Sequence, residues 1–127
     1  MSETKRVVGK LTQVTGREVK KMVLDIVADL VEETPVDLGW ARANWIPGAG
    51  RSAPSAPTGS PDNVDSGAQQ QGIAQVLGMA YDSDSYIVNN VPYIERLNEG
   101  SSSQAPAGYV DAAIIRNVNA ANARSHE

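Results

Sequence analysis

Two carboxylates four residues apart, Glu95 and Glu99, are the residues of this sequence best spaced for acid/base chemistry. On a helix this spacing brings both to one face, where one carboxyl could give up a proton and the other accept one. Arg96 falls on a neighbouring face, so it does not offset their mutual repulsion. A small hydrolase that uses this pair remains one hypothesis, but the pair has no third partner in the sequence, and a contact surface is the favoured interpretation.

The other reactive residue types do not combine into a site. The sole histidine, His126, is the penultimate residue, and a chain end does not hold a general base within hydrogen-bond reach of a substrate. Asp82 and Asp84 share one side of an extended chain, but the glycine and glutamate that complete an EF-hand loop are absent. The stretch Gly48-Ala-Gly50 lacks the Lys-Ser/Thr of a phosphate-binding loop. Since cysteine is also absent, we predict no catalytic residue, no metal and no cofactor.

Apolar spacing predicts the elements that carry these residues. From Val19 to Leu30 the apolar positions recur at helical spacing, which predicts an amphipathic helix over 12–34 that ends before Pro35. Thr15-Gly-Arg-Glu18 has the spacing of a capping box at its start. Further predicted elements are a strand at 43–46, a helix at 66–80, a strand at 86–90, one or two helical turns at 93–99 and a helix at 109–122. We therefore predict an α+β fold: a long N-terminal helix and a C-terminal helix packed on a small antiparallel β-sheet.

Length and composition indicate one small domain over residues 1–127. The net charge of −4 is uneven, because six of the eleven basic residues lie within residues 1–21. We expect a flexible basic N-terminus at 1–11, an extended Pro/Gly/Ser loop or arm at 47–63 and a flexible tail at 123–127. No apolar run is long enough for a signal peptide or a membrane span, so we expect no membrane partner.

The polar segment YIVNNVPYIERLNEGSSSQAPAG, residues 86–108, is rich in residues that shape turns. We interpret it as a hydrogen-bonding contact surface rather than a reactive site. The predicted subunit or partner contacts are Arg51, Asn89, Asn90, Tyr93, Glu95, Arg96, Asn98, Glu99, Ser103 and Gln104. The residues predicted to shape the fold are Pro35, Asp37, Gly39, Trp45, Pro92, Gly100, Pro106 and Gly108.

The order of these motifs resembles a known family. An N-terminal amphipathic helix, then TPVDLGWARANW, a variable loop and YIVNNVPYIERLNEGSSSQAPAGYV together resemble the small tail-component family typified by the tenth gene product of phage HK97. Its members are head–tail joining, tail completion or neck proteins of tailed bacteriophages. The resemblance covers most of the chain apart from residues 47–65. Leu38 stands where the family often has Thr, and Asn98 where it often has Glu, while the turn glycines Gly39 and Gly100 are kept.

The resemblance implies a small α+β domain that acts as a structural virion protein. It implies a homo-oligomeric ring of six copies at the neck, between the capsid connector or stopper and the tail tube or terminator. Genomic DNA would pass through the lumen without sequence-specific binding. The protein would reside in the virion, and in the host cytoplasm during assembly. We assign the ring contacts to the 47–63 arm and the 98–108 loop, and we expect the basic N-terminus to grip a partner. Within the same class, a tail terminator that caps the tube is an alternative.

A small DNA-binding regulator is the alternative of a different class. It would use the basic N-terminus for phosphates and the rings of Trp40 and Trp45 for stacking on bases. We favour packing of the tryptophans against the first helix. Titration of duplex DNA at several salt concentrations separates the two hypotheses, since phosphate-driven binding weakens steeply with salt.

Overall fold

The computed structural model describes residues 16–50, 52–81 and 83–125. The described residues form five helices and one two-stranded antiparallel sheet, so the fold is α+β. The helices are α1 (Gly16–Glu33), α2 (Gly39–Ala43), α3 (Gly67–Gly78), α4 (Ile94–Asn98) and α5 (Tyr109–Ser125). The strands are β1 (Ile46–Ala49) and β2 (Ser85–Val88).

Helix α1 is the centre of the fold. It buries an aliphatic stripe that includes Met22, Ile26 and Leu30, each at most 1% exposed. Helix α5 runs antiparallel along α1, since Arg116 pairs with Asp29 and Glu33 near the end of α1 while Arg124 pairs with Glu18 near its start. The Arg116 pairs are exposed and contribute little stability, whereas the Arg124–Glu18 pair is partly buried. The buried aliphatic stripe carries most of the packing energy.

The sheet is short but covered on both faces. Ile46 pairs with Val88 and Gly48 with Tyr86 in the antiparallel register. The Tyr86 ring lies across Gly48, where a Cβ atom would fall 2.1 Å from the tyrosine oxygen. Helix α3 approaches β1 equally closely at Gly72, where a Cβ atom would fall 1.7 Å from the Pro47 carbonyl oxygen. Close approach of backbone therefore requires Gly72, whereas a side chain at position 48 would displace the Tyr86 ring.

A buried hydroxyl joins three parts of the fold just after α1. The Thr34 hydroxyl donates to the Leu30 carbonyl oxygen at 2.7 Å and accepts from the Trp45 indole N–H at 2.9 Å. Since its own proton is used, it also accepts from the Tyr109 hydroxyl at 3.1 Å. This cluster ties the end of α1 to the residue before β1 and to the first residue of α5.

Side-chain amides hold the segment between β1 and α3. Asn44 donates to the Thr58 carbonyl and accepts from the Thr58 N–H, and the Trp40 indole donates to the same carbonyl. Asn90 donates to the Pro54 carbonyl from the other side. A segment without a helix or strand of its own is thus fixed to the body at Pro54 and Thr58.

The strand predicted at 43–46 is wrong in position. Residues up to Ala43 belong to helix α2, and β1 begins at Ile46 and runs into the range assigned to the loop. Pro47 and Gly48 have low strand propensity, but pairing with β2 and cover by α3 override it.

Helix ends are the other difference. Helix α5 continues to Ser125, past its predicted end at 122 and into the predicted tail. The carboxylate of Glu18, which the sequence assigned to a capping box with Thr15, accepts from the Arg124 Nε. The basic N-terminus at 1–11, the predicted helix start at 12–15 with Thr15, and residues 126–127 lie outside the described residues.

Candidate contact surface

The asparagines of the polar segment face the chain's own backbone. Asn89, predicted as a partner contact, is 3% exposed. Its amide donates to the Ala41 carbonyl at 2.9 Å and accepts from the Val91 N–H at 3.1 Å. The contact role is therefore wrong for Asn89, because burial and two internal hydrogen bonds use its side chain. Asn90 is half-buried, and its amide holds Pro54 as described above.

Asn98 has a structural role at the start of α5. Its Oδ1 accepts from the Val110 N–H at 2.9 Å, which satisfies one of the free donors of that helix end. Its main-chain oxygen accepts from the Gly108 N–H. Its Nδ2 donates to the Asp111 carboxylate at 3.4 Å. A carboxylate at this position would supply the acceptor near the positive end of the helix, but it would repel Asp111.

A second group of residues in the segment points to solvent. We call these exposed residues the polar rim: Glu95, Arg96, Glu99, Ser103 and Gln104.

Local hydrogen bonds shape the loop part of the rim. Gly100 and Gly108 bracket the loop at φ values of 101° and 77°, which L-residues rarely adopt. Between them, the Ser102 hydroxyl accepts from the Gln104 N–H and the Ser102 carbonyl from the Ala105 N–H. Ala105 is 1% exposed and anchors the loop in the core. The rim therefore has a defined backbone shape.

Tyr93 borders the rim and packs inward. Its ring centroid lies 6.2 Å from that of Trp40, with the planes tilted by 55°. Partial burial raises the pKa of the Tyr93 hydroxyl above its ordinary value. Tyr93 therefore packs against Trp40 beside the rim, and its hydroxyl remains neutral near neutral pH.

The remaining predicted residues divide by burial. Among the fold-shaping residues, Pro35 and Trp45 are buried, Gly39 begins α2 and is half-buried, and Asp37, Pro92 and Pro106 are exposed. Arg51, predicted as a contact, lies outside the described residues.

The surroundings of the rim carboxylates bear on the acid/base hypothesis. Glu95 and Glu99 are both exposed, on or next to the five-residue helix α4, and neither has an ion pair among the described residues. Within residues 16–50, 52–81 and 83–125, no three acidic or histidine side chains gather as a metal site. No helix in the same ranges is long and apolar enough to cross a bilayer.

The tryptophan geometry bears on the nucleic-acid alternative. Trp45 is 3% exposed and its indole N–H is bonded to Thr34, so its ring is not accessible to a base. Trp40 is half-buried between Tyr93 and the Thr58 carbonyl. Stacking on bases by Trp45 is therefore excluded, and packing in the core is its role.

An open apolar groove between α1 and α3 was not predicted. Its volume is about 470 Å³, and its apolar lining is formed by Leu24, Val27, Ala28, Val31 and Ile73. Glu32, Arg42 and Gln69 stand at its edge. The signal was present in the sequence: Leu24, Ala28 and Val31 lie at i, i+4 and i+7, a second apolar stripe beside the core stripe of the same helix.

Comparison of the chain with family models, with curated proteins and with solved structures gave no match. The residues and their geometry are therefore the basis of the functional conclusion.

Proposed function

We propose that this chain is a structural protein of a tailed bacteriophage that joins or completes the tail at the head–tail interface, as one copy in a homo-oligomeric ring around the DNA channel. The observation that carries the proposal is the ordered series of motifs from TPVDLG to SSSQAPAG, in which internal hydrogen bonds shape a loop whose polar side chains face solvent. The function is contact between surfaces, and no reaction is required.

The rim is suited to contact because its backbone is already ordered. Asn98 holds the loop to α5, and the glycines at its two ends set its direction. A surface that is ordered before binding loses less conformational entropy when it meets a partner. The mixed charges of Glu95, Arg96 and Glu99 favour a partner of defined charge pattern and disfavour others.

A closed ring requires each copy to present two different faces. Helix α1 separates two such faces. Asp29 is directed to α5, whereas Leu24 lines the groove, and the five-residue offset places them roughly 140° apart around the helix. The segment 52–66, fixed through Asn44, adds a further surface. A heterologous contact between neighbouring copies is therefore compatible with this shape.

The charge of the chain fits a channel that DNA must pass through. Outside residues 1–21 the sequence carries thirteen acidic and five basic residues. An acidic wall repels phosphates at the separation of a lumen, so DNA can move without being held. The basic N-terminal residues are then available for an acidic protein neighbour.

A substitution in the polar rim tests the proposal in the phage or prophage that encodes the chain. The variant Arg96→Glu changes an exposed charge without disturbing the core, and we expect filled heads and separate tails to accumulate by electron microscopy. The matched control is Asn119→Asp, an exposed change on α5 away from the rim, which should leave particles normal. Normal yields of joined particles after complete deletion of the gene would overturn the proposal.

A further inference from the structure

We propose that the groove between α1 and α3 is the docking site for the N-terminal residues 5–14 of a second copy of this chain. The inference rests on the ring of the proposed function and names the contact that closes it. It starts from the groove itself, whose aliphatic side chains are only partly covered: Leu24, Val31 and Ile73 are half-buried and Ala28 is exposed.

The sequence before α1 supplies a matching apolar set. Val7, Val8, Leu11 and Val14 are separated by one, three and three positions, a spacing that directs four aliphatic side chains to one side of a helical segment. Lys10 lies among them. These residues precede the described part of the chain, which begins at Gly16.

Charge favours the same pairing. Residues 5–14 carry Lys5, Arg6 and Lys10 and no acidic residue. At the groove edge, Glu32 is exposed and has no ion pair among the described residues. Arg42, the cation of the edge, donates from Nε to the Val31 carbonyl at 2.9 Å and keeps its charge, so Glu32 is the edge group with which a basic segment can pair.

Chain geometry favours a second copy over the same chain. Leu24 lies eight residues after Gly16, roughly 12 Å along the helix axis. Val14 is two residues before Gly16, and its backbone reaches only about 7 Å from it. The same chain therefore cannot bring the whole apolar set to its own groove, whereas a neighbouring copy can.

Lys20 also bridges α1 and α3 on the Gly16 side of the groove. It lies one turn before Leu24 on the same face of α1, and its Nζ donates to the Leu77 carbonyl at the end of α3, at 3.0 Å. The same ammonium lies 4.9 Å from the centroid of the Tyr81 ring. A segment that turned back from Gly16 toward Leu24 would have to pass this bridge.

Disulfide trapping tests the contact on the full chain. Because the chain has no cysteine, two introduced cysteines report one contact only. Leu11→Cys protein is mixed with Ala28→Cys protein and oxidised, and intact mass identifies the products. We expect a disulfide-linked dimer of the two different chains as the main product, since the bond closes only when the Cα atoms come within about 4.4–6.8 Å.

The matched control replaces Ala28→Cys with Ala120→Cys, an exposed alanine on α5 outside the groove. This mixture should give the mixed dimer only at background level. A charge exchange adds a second measurement: Glu32→Lys should lower the yield of the mixed dimer, and Lys10→Glu in the partner should restore it.

Three results would overturn the inference. They are no mixed dimer, equal yields with the control pair, or a disulfide formed within single chains of the Leu11→Cys/Ala28→Cys double variant. The assay uses purified protein, so it separates the two proposals. A mixed dimer from a protein that is missing from particles would refute the proposed function alone, and joined particles without the mixed dimer would refute this inference alone.

Discussion

Replacing Thr34 by Val should destabilise the fold more than its small change in shape suggests. The two side chains have nearly the same volume, so no cavity is created, but the hydroxyl and its three hydrogen bonds are lost. The Leu30 carbonyl keeps a partner, because it also accepts from the Thr34 N–H at 3.0 Å. The Trp45 indole N–H and the Tyr109 hydroxyl, by contrast, lose the Thr34 hydroxyl as their acceptor.

The magnitude follows from those two stranded donors. Each buried donor left without a partner costs about 1–3 kcal/mol, so Thr34→Val should lower the free energy of unfolding by about 2–6 kcal/mol. That is a large share of the roughly 5–15 kcal/mol typical of a domain. The control Thr34→Ser keeps the hydroxyl and loses one methyl group, which should cost about 1 kcal/mol.

Urea unfolding followed by tryptophan fluorescence measures the difference, because Trp45 sits in the cluster. The midpoint should fall with an unchanged slope. In a Tyr109→Phe background the effect of Thr34→Val should shrink by about 1–3 kcal/mol, since only the indole donor is then stranded. Equal stability of Thr34→Val and Thr34→Ser would refute the reasoning.

Four further substitutions give separate outcomes. Asn44→Leu should release the segment before α3, seen as faster limited proteolysis there with unchanged helix content by circular dichroism; an unchanged cleavage rate would contradict its clamping role. Gly72→Ala should cost more than about 3 kcal/mol or prevent folding, because its Cβ meets backbone at 1.7 Å. Gly78→Ala, with no atom within 4 Å of its Cβ, should be neutral or stabilise by up to about 1 kcal/mol, and similar unfolding midpoints for the two variants would contradict this account of α3. Burial raises the pKa of Tyr109 above 10.0, so the folded state holds this proton more tightly than the unfolded state. Its contribution should be complete below about pH 10 and lost as pH rises through the folded pKa, and Tyr109→Phe should flatten the dependence of unfolding free energy on pH over that range.

The helices were the most predictable part of the fold, because each has a strong local pattern. The stripe from Val19 to Leu30 predicted α1, and the spacing of Val110 and Ile114 predicted α5. The helix ends that lie in the described residues differ from the predicted ends by a few residues at most. Strand β1 was misplaced because Pro47 and Gly48 form a strand only through contacts with β2 and α3. Those contacts are distant in sequence, and local propensity does not report them.

The candidate site was predicted as a segment but not by the role of each residue. Of the residues predicted as contacts, Glu95 and Gln104 are exposed and remain available to a partner, whereas Asn89 is buried. An asparagine that binds backbone in the core has the same sequence signal as one that binds a partner. The Thr34 cluster and the α1–α3 groove were missed because the cluster depends on how distant segments meet, and the groove was recognised only once α3 was placed beside α1.

The central claim is that this chain is a structural part of a phage neck or tail end. Cryo-electron microscopy of particles from the phage or prophage that encodes it measures this most directly. The account predicts a ring of copies between the connector and the tail tube, with the polar rim against a neighbouring protein. Density at that joint filled entirely by other proteins, in particles shown by mass spectrometry to lack this chain, would contradict it.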